Sequence, residues 1–243
     1  MPFRHADAVV IGAGIIGSSI ATELARRGLR TINIERLAAA GSGSTSYSSG
    51  ICRMMYSVPD SVAFAWEGYT YYDRWAEHIG GAVRSDELAQ FRRAGGVVLR
   101  SMASETFLSR VMESYDKVGL LYEEWGRARL KEVLGCDTAS FAPPRRIDDD
   151  DFGNSSGEVS GAVFFPQCGY VSAPDVAARN LHVAATATGR AEFVFNTTVV
   201  EITRAGGVVS GVRLDDGSVV EAPVVVNAGS AVLPPTWDYE RWR

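Results

Sequence analysis

The fold of this chain is decided near its start by residues 7–35, which read DAVVIGAGIIGSSIATELARRGLRTINIE. The pattern predicts a strand over 7–11, a glycine turn, a helix over about 15–27 that Gly28 ends, and a strand over 29–34. A strand, a helix and a second strand in this order form the βαβ unit of a parallel sheet. We therefore expect an α/β fold built outward from this unit.

The glycine turn, GAGIIG, has the spacing of a dinucleotide fingerprint. Gly12 permits the tight turn, Gly14 lets the backbone approach a pyrophosphate, and Gly17 lets the helix pack close to the strand. Ile15 and Ile16 form the start of the predicted helix. Its unpaired N–H groups and the positive end of its dipole are expected to face the phosphates. The fingerprint predicts a cradle for the adenosine half of a dinucleotide.

An acidic residue completes the fingerprint. Glu35 ends the second strand about 20 residues beyond the glycines, where a carboxylate can accept hydrogen bonds from the adenosine ribose hydroxyls. Arg36 follows it and belongs to the predicted cofactor site. A carboxylate at this position disfavours a 2′-phosphate and therefore NADP. The fingerprint alone leaves NAD and FAD open.

Composition and charge argue against several other classes of protein. The chain has 243 residues, is 46% hydrophobic and carries a net charge of -5 without a basic run, so nothing indicates nucleic acid as a partner. Its three cysteines form no CxxC pair, so neither a disulfide framework nor a metal site is predicted. The apolar stretch at 8–20 is too short and too rich in glycine to span a membrane. We expect a cytoplasmic protein.

Residues 60–161 carry weaker patterns. Helical spacing predicts one helix over 60–79 with an aromatic face that packs in the core. That face comprises Trp66, Tyr69, Tyr72 and Trp75. A strand at 96–99 and a helix over 104–118 precede an irregular region, 135–161, which we expect to be loop.

The second half of the chain regains a regular pattern. The predicted elements are strands at 162–165, 192–195, 199–203, 208–214 and 218–220 and a helix over 173–187. The last three of these strands are joined by Gly206-Gly207 and by Asp215-Asp216-Gly217, which predicts a β-meander. The run VVVNAG at 224–229 predicts a buried strand that ends in a tight turn.

The loop after the βαβ unit favours FAD. Residues 43–53, GSTSYSSGICR, resemble the flavin-facing loop of the D-amino-acid oxidase superfamily, which includes sarcosine oxidase, glycine oxidase and dimethylglycine dehydrogenase. The resemblance continues through Tyr56 and reappears at 169–171, 197–199 and 225–229. It implies a Rossmann-like FAD-binding domain with a β-meander, plus part of an α+β substrate domain. It also implies that the cofactor is FAD.

The resemblance assigns residues 1–93 and 160–229 to the FAD-binding domain and 94–159 to the first part of the substrate domain. Members of this superfamily continue well beyond the strand at 225–229, and residues 230–243 do not resemble that continuation. We therefore expect the chain to be truncated at its C-terminal end relative to the family. It would be a fragment, a frameshifted product or a piece that needs a partner chain or a second copy.

The resemblance also transfers cofactor contacts to residues of this chain. Ser44 and Thr45 would contact the pyrophosphate or the ribityl chain, the backbone of Val199 would meet the adenine, and Ala228 and Gly229 would pass the dinucleotide. The predicted cofactor site comprises Gly12, Gly14, Ile15, Ile16, Gly17, Glu35, Arg36, Ser44, Thr45, Ser49, Gly50, Val199, Ala228 and Gly229.

Arg53 is the predicted catalytic residue, because it matches a basic residue near the flavin ring in sarcosine-oxidase-like members. The implied reaction oxidises the C–N bond of a small amine or amino acid by hydride transfer to the flavin. Tyr47 stands where the dimethylglycine dehydrogenase branch has a histidine bonded covalently to FAD, so this chain is not expected to carry that bond. Two alternatives stay open: an FAD-binding chain without activity of its own, and an NAD-dependent dehydrogenase.

Overall fold

The computed structural model describes residues 5–101, 104–143, 145–155 and 157–229, so residues 230–243, which are predicted to depart from the family's continuation, lie outside the described residues. The described chain forms two compact units, each built from separate segments. The first unit contains residues 5–50, 74–90 and 171–229, and the second contains residues 51–73 and 91–170.

The elements of the described residues follow the predicted α/β order. The strands are β1 (Ala8–Ile11), β2 (Thr31–Ile34), β3 (Ile51–Cys52), β4 (Phe91–Arg92), β5 (Gly96–Arg100), β6 (Glu123–Gly126), β7 (Gly161–Phe165), β8 (Gly169–Val171), β9 (Ala191–Val194), β10 (Val199–Ala205), β11 (Val208–Leu214), β12 (Val219–Glu221) and β13 (Val224–Asn227). The helices are α1 (Ile15–Arg26), α2 (Pro59–Asp73), α3 (Trp75–Ile79), α4 (Glu105–Val118), α5 (Arg127–Leu134) and α6 (Pro174–Ala187). None of these helices is long and apolar enough to cross a membrane. The cytoplasmic location stays a prediction.

The first unit is organised around a four-stranded sheet in the order β13–β1–β2–β9, and the strands are all parallel. Its inner strands, β1 and β2, are buried along their whole length; β1 is an apolar run, whereas β2 also buries the polar residues Thr31 and Asn33. Ile11 lies in register with Ile34 on one side and with Asn227 on the other. The carboxyl ends of β13, β1 and β2 therefore lie side by side, where parallel α/β sheets bind ligands.

Different layers cover the two faces of this sheet. On one face, Val9 and Ile32 pack against Val212 and Leu214 of the meander, which pairs in the order β10–β11–β12. On the other face α1 packs against α6, where the small residues Ala21, Ala25 and Ala185 share a buried cluster. The Thr22 hydroxyl of α1 also donates to the Leu181 carbonyl of α6 at 3.1 Å. The predicted βαβ unit and meander are confirmed.

The predicted helix over 60–79 is wrong in one respect, because it is broken at Arg74, where φ is -116° and ψ is 42°. Trp75, beyond the break, belongs to the first unit, and its indole Nε1 donates to Asn180 Oδ1 of α6 at 3.0 Å. Tyr69, before the break, packs in the core of the second unit. The predicted aromatic face is therefore divided, with Tyr69 in the second unit and Trp75 in the first.

The second unit contains an antiparallel sheet in the order β5–β7–β6. Val163 and Phe165 of β7 pack with Leu108 and Tyr115 of α4 in its main buried cluster. The sequence pattern does not indicate β6 and α5, since β6 forms by pairing with β7, a strand far along the chain. The described residues of 135–160 contain no regular helix or strand, in agreement with the predicted loop.

The compact units differ in extent from the predicted domains. The prediction places 51–73, 91–93 and 160–170 in the FAD-binding domain, whereas by their contacts these residues belong to the second unit. The predicted domains are defined by the segments expected to hold the cofactor. The compact units are defined by the segments that pack together. The domain bounds therefore stay a prediction.

Candidate functional site

A cavity of about 480 Å³ lies in the first unit at the carboxyl ends of the parallel strands. Its lining residues are Ile11, Gly12, Gly14, Ile34, Glu35, Arg36, Leu37, Ser42, Gly43, Ser44, Tyr47, Thr197, Thr198, Val199, Ala228 and Gly229. Cavities that bind small molecules have volumes of roughly 300–1,000 Å³. The structure thus gathers at one cavity the glycine turn, the acidic residue, part of the serine-rich loop and the last strand end.

The three fingerprint glycines are required for three different reasons. Gly12 has a φ of 98°, which favours glycine, and a Cβ there would lie 3.0 Å from the Ala228 carbonyl oxygen. A Cβ on Gly17 would overlap the carbonyl oxygen of Gly12, so this glycine permits close packing of α1 on the turn. Gly14 has an ordinary extended backbone, with φ at -69°, and a Cβ added there would lie 3.0 Å from Thr45 Oγ1.

The Glu35 carboxylate joins two backbone segments at the cavity. Its Oε2 accepts a hydrogen bond from the Ala13 amide at 2.8 Å, and its Oε1 accepts one from the Leu37 amide at 2.9 Å. Each carboxylate oxygen can accept a further hydrogen bond. Glu35 therefore holds the glycine turn against the segment after β2 and still offers acceptors to a ligand.

A tight turn after β9 brings a second polar segment to the cavity. Asn196 has a φ of 53° and donates its amide to the Leu37 carbonyl at 3.1 Å, while the Thr197 amide donates to the Glu35 carbonyl at 3.1 Å. These bonds place Thr197 and Thr198 in the cavity lining beside Glu35. Neither threonine is among the predicted site residues. Their position directly before Val199, a predicted site residue, could have indicated that they lie at the cavity.

Residues 38–50 look like a flexible linker by composition, but the structure attaches this loop to the glycine turn. The Gly41 amide donates to the Ala13 carbonyl at 2.9 Å, and Thr45 Oγ1 accepts a hydrogen bond from the Ile15 amide at 3.0 Å. The loop thereby contributes Ser42, Gly43 and Ser44 to the wall of the cavity. Of these three residues, only Ser44 is in the predicted site.

Several predicted cofactor residues do not line this cavity, namely Ile15, Ile16, Gly17, Thr45, Ser49 and Gly50. Ile16 is 64% exposed on the first turn of α1. Gly50 has a φ of 65°, and a Cβ there would overlap the Val171 carbonyl oxygen, so its glycine is explained by packing. Tyr47, which is not among the predicted site residues, lines the cavity and is 90% exposed. Cofactor contacts of the residues outside the lining stay predictions.

Arg53, the predicted catalytic residue, belongs to the second unit and is exposed. Its guanidinium carbon lies 5.4 Å from the centroid of the Tyr56 ring, within the range of a cation–π contact. Its Nη1 also donates a long hydrogen bond of 3.5 Å to the Met55 carbonyl. No described carboxylate forms a salt bridge with Arg53, so its positive charge is available to an anion.

The thiols of Cys52 and Cys168 and the hydroxyl of Tyr115, all in the second unit, have raised pKa values that favour their neutral forms. Burial, together with the nearby Cys168, raises the pKa of the Cys52 thiol from 9.0 to about 11. Burial also raises the pKa of Cys168 and of the Tyr115 hydroxyl. A reactive cysteine needs a lowered pKa. These groups therefore do not form a candidate nucleophile.

Comparison with known proteins supplies a family and two sets of relatives. Residues 7–237 match the model of a protein family described as DAO, FAD dependent oxidoreductase. The tRNA 5-methylaminomethyl-2-thiouridine biosynthesis bifunctional protein MnmC of Paraburkholderia phytofirmans is 26% identical over 235 residues, which cover 93% of this chain and 31% of that protein. The 4-methylaminobutanoate oxidase (formaldehyde-forming) of Paenarthrobacter nicotinovorans is 26% identical over 226 residues, or 93% and 24% of the two chains. This chain spans less than a third of either relative.

Solved structures show the same fold. The L-proline dehydrogenase from P. horikoshii superposes with a TM-score of 0.73 at 25% identity, covering 93% of this chain and 53% of that one. The glycine oxidase from Geobacillus kaustophilus superposes with a TM-score of 0.70 at 23% identity, covering 93% and 56%. This chain spans about half the length of each solved relative. The predicted α/β fold class is confirmed.

Proposed function

Because the chain belongs to the FAD-dependent oxidoreductase family, we propose that it binds FAD in the cavity at the strand ends and acts in oxidising the C–N bond of a small amine or amino acid. Membership confirms the resemblance to the D-amino-acid oxidase superfamily. It also decides between FAD and NAD, which Glu35 alone leaves open. The activity of the whole protein is a proposal, since the chain spans only part of its relatives.

The residues of the cavity fit the adenosine diphosphate half of FAD. Gly12 and Gly14 have no side chains, so the turn leaves its backbone open to an approaching pyrophosphate. Glu35 supplies carboxylate acceptors for a ribose diol, and the hydroxyl of Ser44 supplies a donor for a phosphate oxygen. The gathering of these groups at one cavity of about 480 Å³ is the observation that carries the proposal.

We assign the remaining lining residues by their chemistry. The positive end of the α1 dipole lies directly after the glycine turn and suits the negative charge of the pyrophosphate. Val199 and the strand end at Ala228 and Gly229 would border the adenine and the dinucleotide through backbone groups. Arg36 is exposed beside Glu35 and adds a positive charge at the same end of the cavity.

When bound, FAD supplies the acceptor for the hydride that leaves the carbon beside the amine nitrogen. The chain's own contribution to that step is electrostatic. The exposed Arg53 guanidinium, held over the Tyr56 ring, would stabilise negative charge that develops in the reacting region. An amine bound in its neutral form needs no strong base among the side chains.

The substrate class rests on the names of the relatives and on the charge of Arg53. Three of the four names specify L-proline, glycine and 4-methylaminobutanoate, which are small amines that carry a carboxylate, whereas the name of the MnmC protein specifies 5-methylaminomethyl-2-thiouridine of tRNA. An exposed guanidinium without an acidic partner among the described residues is suited to a substrate carboxylate. We therefore place small amino acids and N-alkylated amino acids before other amines as test substrates.

The proposal is tested in two stages with the purified chain. FAD is titrated into the protein and binding is followed by the change in flavin fluorescence, with NAD as the control dinucleotide. The FAD-loaded chain is then mixed anaerobically with glycine, L-proline or 4-methylaminobutanoate, and loss of the flavin absorption band is recorded. Binding of FAD followed by bleaching supports the proposal. Binding without bleaching by any amine favours a chain without activity of its own, and binding of NAD alone overturns the cofactor assignment.

A further inference from the structure

The N-terminus of α1 is capped from a distant part of the chain. The first amides of a helix lack intrahelical partners, and a Ser, Thr, Asp or Asn at the N-cap usually accepts one of them. Here the N-cap is Gly14, which has no side chain to do so. Instead Thr45, 30 positions along the chain, accepts the hydrogen bond of the Ile15 amide with its Oγ1 at 3.0 Å. The loop thus replaces the missing cap.

Gly14 makes room for this contact. Its backbone is extended, with φ at -69° and ψ at -175°, a conformation that any residue adopts. A Cβ at this position would lie 3.0 Å from Thr45 Oγ1, which is closer than ordinary carbon–oxygen contacts. A side chain at position 14 would therefore press on the Thr45 hydroxyl, whether or not a pyrophosphate is bound.

Thr45 is also placed to hold one wall of the cavity. It is 7% exposed, and it follows Ser42, Gly43 and Ser44, which line the cavity. The same loop is attached at its other side by the hydrogen bond from the Gly41 amide to the Ala13 carbonyl. Loss of the Thr45 hydroxyl would remove the hydrogen bond that fastens the C-terminal end of this wall to α1.

We propose that Thr45 is a positioning residue rather than a cofactor ligand: its hydroxyl fastens the wall at 42–44 to α1 before FAD arrives, and Gly14 is glycine partly to allow it. The inference rests on the proposed FAD site and changes two predictions made from the sequence. Thr45 was expected to contact the pyrophosphate or ribityl chain, and Gly14 was expected to serve only the approach of the pyrophosphate.

The first test compares Thr45→Val, which keeps the shape and removes the hydroxyl, with Thr45→Ser, which keeps the hydroxyl. We expect Thr45→Val to bind FAD about five- to tenfold more weakly, in line with loss of a helix cap. Thr45→Ser should stay within about twofold of the parent chain. Hydrogen exchange of the Ile15 amide in the FAD-free chain should be faster in the valine variant only. Equal exchange and equal FAD affinity in all three proteins would overturn the inference.

The second test separates the loop from the pyrophosphate by using the FAD-free chain. Gly14→Ala is made alone and together with Thr45→Ala, and melting temperatures are measured without cofactor. Alone, Gly14→Ala should lower the melting temperature by about 2–4 °C, and in the Thr45→Ala background it should lower it no further. An equal loss in both backgrounds, or no loss in either, would contradict the proposed role of Gly14.

The two tests also separate this inference from the proposed function. If the parent chain fails to bind FAD, the proposed function fails, whereas the melting-temperature cycle can still succeed. If the parent chain binds FAD and the variants behave like it in exchange, affinity and melting, only the role of Thr45 is lost.

Discussion

The cavity in the first unit and the surroundings of Arg53 in the second unit depend on different kinds of contact. Around the cavity, the decisive contacts involve backbone: Gly12 against Ala228, and the Ala13 and Leu37 amides on Glu35. Arg53 has one long hydrogen bond and one ring contact. The shape of a site made from backbone depends on which positions are glycine. The role of an exposed side chain depends on which ligand binds to it.

This difference predicts which substitutions remove cofactor binding. We expect the largest effect from Gly17→Ala, because the added methyl would overlap the Gly12 carbonyl and push α1 away from the turn. Overpacking of this kind costs about 1–3 kcal/mol in free energy of unfolding. FAD binding should fall below detection, as measured by fluorescence titration alongside urea unfolding.

Gly43→Ala is the matched control for this substitution. Gly43 lines the same cavity, and its added Cβ would meet only Leu37 Cδ1 at 3.8 Å, an ordinary contact. This variant should unfold like the parent chain. If Gly17→Ala bound FAD as well as Gly43→Ala does, the cavity would not depend on backbone packing, and the contrast between the two regions would be lost.

Glu35→Gln should have the next largest effect. The amide side chain retains one oxygen and turns an NH₂ donor toward the Ala13 or Leu37 amide, so one of the two hydrogen bonds is lost. A hydrogen bond to a charged group contributes about 1.5–3 kcal/mol, so loss of a bond between this carboxylate and the ribose would weaken FAD binding roughly 10- to 100-fold. Glu201→Gln, which changes an exposed glutamate of the meander, should leave the dissociation constant unchanged. Equal affinities for both variants would argue against a ribose contact.

Arg53→Met should separate the two regions most clearly. We expect it to change the FAD dissociation constant less than about threefold, because Arg53 does not line the cavity, and to slow flavin bleaching by an amino acid about tenfold. Arg53→Lys, which keeps the charge, should recover part of that rate. Arg110→Met serves as the control, since Arg110 is an exposed cation elsewhere in the second unit. A large loss of FAD affinity in Arg53→Met alone would place Arg53 in the cofactor site instead.

The smallest expected effect is a difference in how pH affects the two units. In the first unit, burial lowers the pKa of His182 from 6.5, so its contribution to stability is present above pH 6.5 and is lost as pH falls through the lowered value. In the second unit, the pKa of Cys52 is raised to about 11, so its contribution is present below pH 9.0 and is lost as pH rises toward 11.

Urea unfolding from acid to alkaline pH measures both contributions. His182→Leu should lessen the slope of the stability profile on the acid side, where His78 also has a lowered pKa. Cys52→Ala should lessen the slope on the alkaline side, where Cys168 also has a raised pKa, and each variant should leave the other side unchanged. A profile in which either variant altered both sides would show that the two groups do not titrate separately.

Much of the fold could be predicted from the sequence, because interactions between residues close together along the chain determine those elements. The first strand, the first helix and the meander were predicted within about two residues, since apolar periodicity and glycine turns act over short distances. The break at Arg74 was not readable, because Trp75 leaves the helix to meet Asn180 from another part of the chain. Strand β6 was missed for a similar reason, as it exists through its pairing with β7.

The features of the candidate site also divide into those that the sequence predicts and those that depend on the tertiary structure. The order of residues alone established that Gly12 sits in a turn and that a carboxylate follows the second strand, because a positive φ and a strand end are local properties. Only the tertiary structure decided which other residues contact the glycine turn and the segment after the second strand. It brings Thr45 onto the Ile15 amide and sets the turn at Asn196 against the carbonyl of Leu37. These contacts join residues far apart along the chain, and no local preference encodes them.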